Sequence, residues 1–207
     1  MFSLDADLIF RVPALLIALT VHEYAHARAA VAMGDDTPRQ LGRVTLNPLA
    51  HLDPVGLLML WLTQFGWAKP VPINPNRFQS YRSGMIWVSL AGPLSNAVMA
   101  LAAAIALGAC KVWGVGIPEV WKILAWTRDY NIILAIFNLL PIPPLDGSKV
   151  LSVFLPWKYA ELYERITPYS PVILIALVYI GVIGSIVYPF QIALYLAIQT
   201  IVGILFF

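Results

Sequence analysis

The 207 residues hold one cysteine, Cys110, so neither an intrachain disulfide nor a cysteine-bound metal cluster can form. Histidine is nearly as scarce, at three. Charge is thin: 12% of residues are Asp, Glu, Lys or Arg and 60% are hydrophobic, whereas an average soluble domain is about a quarter charged. A chain with so little charge has lipid as its main solvent. The net charge is only +2, and no Lys/Arg cluster interleaves with exposed aromatics, which argues against nucleic acid as a partner. The opening MFSLDAD is acidic where a cleavable signal begins with positive charge, so no such signal is expected. No repeat of fixed period is present. Between Glu23 and Glu119 there is no glutamate at all.

What the sequence has in abundance is apolar length. Roughly 20 apolar residues cross a bilayer as a helix. Leu8–Met33, Gly84–Ala109 and Val120–Leu140 each suffice, and Pro171–Phe207 is long enough for two spans with a break at Tyr188-Pro189. Pro54–Ala68 is apolar but short, and reads as a re-entrant or interfacial segment. Residues 37–50, TPRQLGRVTLNPLA, mix β-prone pieces with breakers and admit a small β-hairpin at the membrane surface. The expected fold is an all-α polytopic membrane protein with about five transmembrane helices. The seven Trp and nine Tyr suit the two bilayer interfaces. If 54–68 does not cross, Arg39, Arg43, Lys69, Arg77, Arg82, Lys149, Lys158 and Arg165 share one side, facing Arg11, Lys111, Lys122 and Arg128 on the other. The positive-inside rule puts the richer set in the cytoplasm, with the N-terminus outside and the C-terminus inside.

HEYAH, residues 22–26, lies inside the first apolar run. Ionisable side chains in a span are costly and mark function by default. Residues i and i+4 stack on one helix face, so His22 and His26 offer two imidazoles side by side, the grip a zinc ion needs. Glu23 lies on the adjoining face, where it can act as a general base without being a ligand. A catalytic zinc takes a third protein ligand. Ala32 stands where a further histidine of the extended metalloprotease pattern would be, and no glutamate follows within reach. The remaining candidates are His51, Asp53, Asp129 and Asp146.

Asp146 lies in NLLPIPPLDGSKVLSVFLP, an apolar helix broken by Pro141, Pro143 and Pro144 and restarted at Asp-Gly-Ser. Unwound backbone at membrane depth persists only where protein or a cavity surrounds it. His26 and Asp146 are roughly 10 and 14 Å of helix from the ends of their segments, so their depths match. Asp146 also fits a plain helix cap, which does not exclude ligation. Asp53-Pro reads as a cap with proline at the first helical position, and Asp129, beside Arg128, as an interfacial charge. His51 fits either a polar contact at the site's mouth or a surface histidine. Asn96 and Asn138 are intramembrane amides that either aim N–H at a developing oxyanion or tie helices together.

HEYAH in a first span, GPLSN (92–96) in a middle span and NLLPIPPLDG (138–147) after a later one resemble the site-2 protease family of intramembrane zinc metalloproteases. LGRVTLNPLAHLDPVG and GWAKPVPIN are similar to stretches of its short prokaryotic members. The likeness covers about residues 8–160 of a single membrane-embedded domain, 1–207, with a C-terminal helical hairpin at 171–207. It implies one Zn2+ per chain on His22, His26 and Asp146, with Glu23 as catalytic base. The implied substrates are transmembrane segments of other proteins, and the implied place is a prokaryotic cell membrane, with the site nearer the cytoplasm. Many members carry a second glycine after Asp-Gly where this chain has Ser148, and no stretch here is long enough for a PDZ domain or resembles a CBS tail. The rival reading is a divalent-metal transporter or channel, since intramembrane His and Asp also mark ion pathways.

Overall fold

In a computed structural model the described residues are 7–57 and 66–206. The opening six residues and most of the short segment expected to be re-entrant therefore lie outside them; what is described of that segment begins as a helix at 54–57. Eight α-helices with resolved bounds follow in order: α1 Leu8–Ala32, α2 Thr37–Gln40, α3 Tyr81–Val112, α4 Pro118–Asn138, α5 Asp146–Ser152, α6 Trp157–Ile166, α7 Ser170–Tyr179 and α8 Val182–Phe206.

Among the described residues, α1, α3 and α8 are long and apolar enough to cross a membrane. At 21 residues α4 has the length as well, roughly 31 Å, but it carries Glu119, Lys122, Arg128 and Asp129. Large apolar side chains face outward: Ile9, Val98 and Ile204 are 71, 68 and 79% exposed. Where α1 and α3 are most deeply buried the residues are small, with Ala14, Ala18, Ala27, Ala30 and Ala100 fully covered. Lipid gives helices no hydrophobic reason to associate, so they meet through small residues that let backbones approach. The interior of this bundle is built that way, with α1, α3 and α4 packed against one another.

The C-terminal region differs from expectation. The helix break falls at Gly181, whose φ of +83° is the left-handed conformation that ends a helix, and Pro189 is carried inside α8. Proline is tolerated in membrane helices, so the Tyr188-Pro189 pair does not stop this one. At 10 residues, α7 reaches roughly half the bilayer core. Leu174 of α7 packs with Leu145, Ile183 and Val187, at the level where α4 ends. Ile198 and Val202 of α8 pack on Ala100 and Ala104, toward the far end of α3. Among the described residues of 170–206, α8 is the helix long and apolar enough to cross, and it ends on the face where α3 ends, not on the face where α3 starts.

The β-hairpin expected in 37–50 is absent. Thr37–Gln40 is a helical turn with Pro38 at its start, and Pro48–His51 is a 3-10 turn capped by the Asn47 side chain. Proline cannot donate to a ladder, and the backbone between them closes local turns, such as Leu41 N–H to the Thr37 carbonyl at 3.1 Å. The β pairing found nearby is a single antiparallel bridge, Leu52 to Ala68.

Candidate metal centre

His22 and His26 lie on the buried face of α1, ten and six residues before its end at Ala32, so they sit roughly 15 and 9 Å below that end. Asp146 opens α5, just after the turn holding Pro141, Pro143 and Pro144, whose Pro143–Pro144 bond is cis. Gly147 allows that turn to close: a Cβ there would fall 2.1 Å from the Leu139 carbonyl oxygen. Ser148 is buried and donates its hydroxyl to the Leu145 carbonyl at 2.5 Å.

The fold brings these three side chains together. His22 Nε2 and His26 Nε2 are 3.0 Å apart, and Asp146 Oδ2 is 3.2 and 3.0 Å from them. All three residues are buried, at 5, 8 and 4% exposure. His51, Asp53 and Asp129 stand outside the cluster. Asp53 Oδ1 caps the helix at 54–57, accepting from Val55 and Gly56 N–H at 2.8 and 3.1 Å. Asp129 pairs with Arg128 at 2.7 Å, near the middle of α4 rather than at its end. The His51 ring is 1% exposed and donates Nε2–H to the Thr45 carbonyl at 2.9 Å.

Tautomers follow from partners that can only accept. His26 Nδ1–H donates to the Val88 carbonyl at 2.7 Å, which leaves its Nε2 a bare lone pair. Asn131 Nδ2 donates to the Thr127 carbonyl at 2.7 Å, so Asn131 Oδ1 accepts from Asn96 Nδ2 at 2.7 Å. Asn96 Nδ2 also reaches the Ala18 carbonyl at 3.1 Å, so its Oδ1 accepts His22 Nδ1–H at 2.6 Å. His22 Nε2 is then a lone pair too. Two imine nitrogens and a carboxylate oxygen converge at about 3 Å, and three acceptors at that range repel unless a cation sits among them. Zinc bonds of about 2.0–2.1 Å at tetrahedral angles separate ligand atoms by about 3.3 Å. The donor set and its spacing therefore fit a zinc ion, and these three residues could hold one.

The surroundings serve that geometry. Gly92 of α3 lies under both rings: a Cβ there would fall 2.5 Å from His22 Cε1 and from His26 Nε2. Lys149 Nζ donates to the outer carboxylate oxygen of Asp146 at 2.9 Å. Glu23 Oε2 accepts the Val71 N–H at 3.0 Å. Asn138 gives an N–H to the Leu134 carbonyl one turn back at 3.1 Å. Sequence reasoning missed Asn131 and Thr127, and it took in Gly92 only as part of GPLSN (92–96), without its place against the two rings. An amide amid an apolar helix, as Asn131 is, signals a partner, and Gly92 lies four residues from Asn96, on the same helix face.

Outside the spans, Asp35 is fully buried and brackets two loops. Burial alone would raise its pKa; the Asn74 N–H, the Thr37 hydroxyl and N–H, and the Arg77 charge together hold the carboxyl below its ordinary value. The Asn74 N–H lies 2.6 Å from Oδ2.

The profile of Peptidase family M50 matches residues 108–181. YwhC of Bacillus subtilis, provisionally named a zinc metalloprotease, is 39% identical over 150 residues, which is 69% of this chain and 67% of YwhC. Rip2 of Mycolicibacterium smegmatis, named likewise, is 33% identical over 143 residues, and the match spans only about half of it, 54%. Rip3 of Mycobacterium tuberculosis is 35% identical over 149 residues, covering 30% of its length. No solved structure matches the chain significantly. With the motifs, the donor cluster and the relatives in agreement, the chain belongs to peptidase family M50, the site-2 proteases.

Proposed function

We propose that this chain is an intramembrane zinc endopeptidase that hydrolyses peptide bonds within or near transmembrane segments of other proteins. The observation that carries the reading is the convergence of three lone-pair atoms from His22, His26 and Asp146 at 3.0–3.2 Å. These residues would hold the ion. A zinc ion held there would polarise a carbonyl and lower the pKa of a bound water toward neutrality. Glu23 takes the water's proton on the carboxylate oxygen that Val71 leaves free and passes it to the leaving amine. Asn96 orients His22, since its amide hydrogens go to Ala18 and Asn131. Asn138, with one of its two N–H groups committed to Leu134, offers the other to the oxyanion.

A helical substrate hides its carbonyls in i→i−4 bonds, so it must unwind before it is cut. Attack on the cytoplasmic side of a prokaryotic cell membrane is part of the proposal; the site's depth of roughly 9–15 Å from the end of α1 and the Lys/Arg excess on that face support it. The test is cleavage of a model transmembrane segment by the purified chain in lipid nanodiscs. Glu23→Gln retains zinc and loses cleavage by about 10²–10⁴-fold. A Glu23→Gln chain that still cuts, or a wild type that moves zinc across liposomes without cutting, overturns the reading.

A further inference from the structure

We infer that a clamped loop, residues 67–74, positions the catalytic carboxylate: it presents the Val71 N–H as a fixed arm that holds one oxygen of Glu23 and leaves the other free. The inference rests on the protease reading for the role of Glu23. Its geometry stands apart from the metal ligands.

The loop reads Trp67-Ala68-Lys69-Pro70-Val71-Pro72-Ile73-Asn74. Pro70 and Pro72 have no N–H, so Val71 offers a single donor between two residues that have none. That donor lies 3.0 Å from Glu23 Oε2. Both proline rings fix φ, which stiffens the backbone on either side of it.

Each end of the loop is tied. Upstream, Lys69 N–H donates to the His51 carbonyl at 2.9 Å, and Arg43 Nη2 donates to the Lys69 carbonyl. His51 donates Nε2–H to Thr45, which leaves Nδ1 facing the same Arg43 nitrogen at 3.5 Å. Arg43 and His51 are both buried, at 6 and 1% exposure. A buried arginine and histidine that touch neither metal ligand nor Glu23 need a reason, and this tie supplies one. Downstream, the Asn74 N–H is held by Asp35 Oδ2 at 2.6 Å, and Gln79 N–H by the Met33 carbonyl at 2.9 Å. Ile73 packs with Phe78, Met85 and Val88 against Ala30. Val71 therefore lies between two anchors, one on the 43–52 loop and one at the end of α1.

A carboxylate on a free rotor points its oxygens in many directions; one accepting a fixed N–H does not. Arg43, His51 and Asp35 act through the loop, so they are positioning residues for Glu23. The loss of one such hydrogen bond to a charged group is expected to lower kcat about tenfold or more.

Two readouts test this. The first needs no activity. Amide hydrogen exchange by mass spectrometry, on the full chain in nanodiscs, reads a peptide across 67–73 that carries few amide hydrogens because of its prolines. The Val71 amide is slow to exchange in wild type and at least tenfold faster in Glu23→Ala, while Val71→Ala, which keeps the N–H, keeps the slow exchange. Unchanged protection in Glu23→Ala overturns the contact. The second is kinetic. Replacing the Val71 N–H by an ester oxygen, with α-hydroxyvaline at position 71, and separately Arg43→Ala, lower kcat with KM and zinc content within about twofold of wild type. A fall in zinc content, or a rise in KM with kcat unchanged, overturns the positioning role. Protection that depends on Glu23 in a chain with no protease activity upholds the contact and refutes the protease reading.

Discussion

Alanine at position 92 would place a methyl carbon 2.5 Å from His22 Cε1 and from His26 Nε2, and 2.7 Å from His22 Nε2. Ordinary contact begins near 3.4 Å, so the rings must recede by about 0.9 Å. They cannot swing freely, because Asn96 and the Val88 carbonyl pin each Nδ1 at 2.6 and 2.7 Å. Zinc bonds tolerate about 0.2 Å. Overpacking costs about 1–3 kcal/mol, and glycine to alanine within a helix returns about 0.8–1.0 kcal/mol, so the fold loses at most about 2 kcal/mol. The metal seat bears the rest. Gly92→Ala is expected to weaken zinc binding at least 100-fold, about 2.8 kcal/mol, with unfolding temperature of the zinc-free chain moved by only a few degrees. Competition against a chelating fluorophore, on zinc-free protein in detergent, measures it. Zinc affinity within threefold of wild type would refute the claim that α3 is shaped to admit two metal-bound imidazoles.

Other outcomes follow from neighbouring contacts. Asn131→Leu removes the acceptor for an Asn96 N–H at a fully buried position; zinc affinity should fall about 10–100-fold, read by the same competition. Asp35→Asn should cost about 1–2 kcal/mol at pH 7. Because the folded Asp35 carboxyl titrates below its ordinary 3.8, the unfolded chain binds more protons in the window under that value. Wild-type stability is thus fully present above about pH 4 and drains as pH falls through the folded value, whereas Asp35→Asn lacks that component. Thermal unfolding of zinc-free protein at pH 3 and 7 compares them; an equal gap at both is the contrary result.

The parts of the site legible in the sequence are those fixed by one element's period. His22 and His26 meet because four residues make about one helical turn. The Asp53 cap is local in the same sense, and Asp146 was legible because three prolines before it have no place in a lipid-facing helix. The relay through Asn96 and Asn131 joins α3 to α4, and spacing within one helix says nothing about which amide on another helix faces it. Gly92 is legible only once the rings are known to lie above it. In the C-terminal region the break falls at Gly181 and not at the expected Tyr188-Pro189, since a membrane helix can carry a proline while a left-handed glycine ends it. The hairpin failed because Pro38 and Pro48 withhold the N–H groups a ladder needs.

The central claim is one zinc shared by α1 and α5, and zinc X-ray absorption with metal analysis tests it most directly. Wild type should carry one zinc per chain, with a first shell of nitrogen and oxygen at about 2.0–2.1 Å and no sulfur; Asp146→Ala should lose most of the metal while remaining folded. Full zinc occupancy with an unchanged first shell in Asp146→Ala would contradict the account.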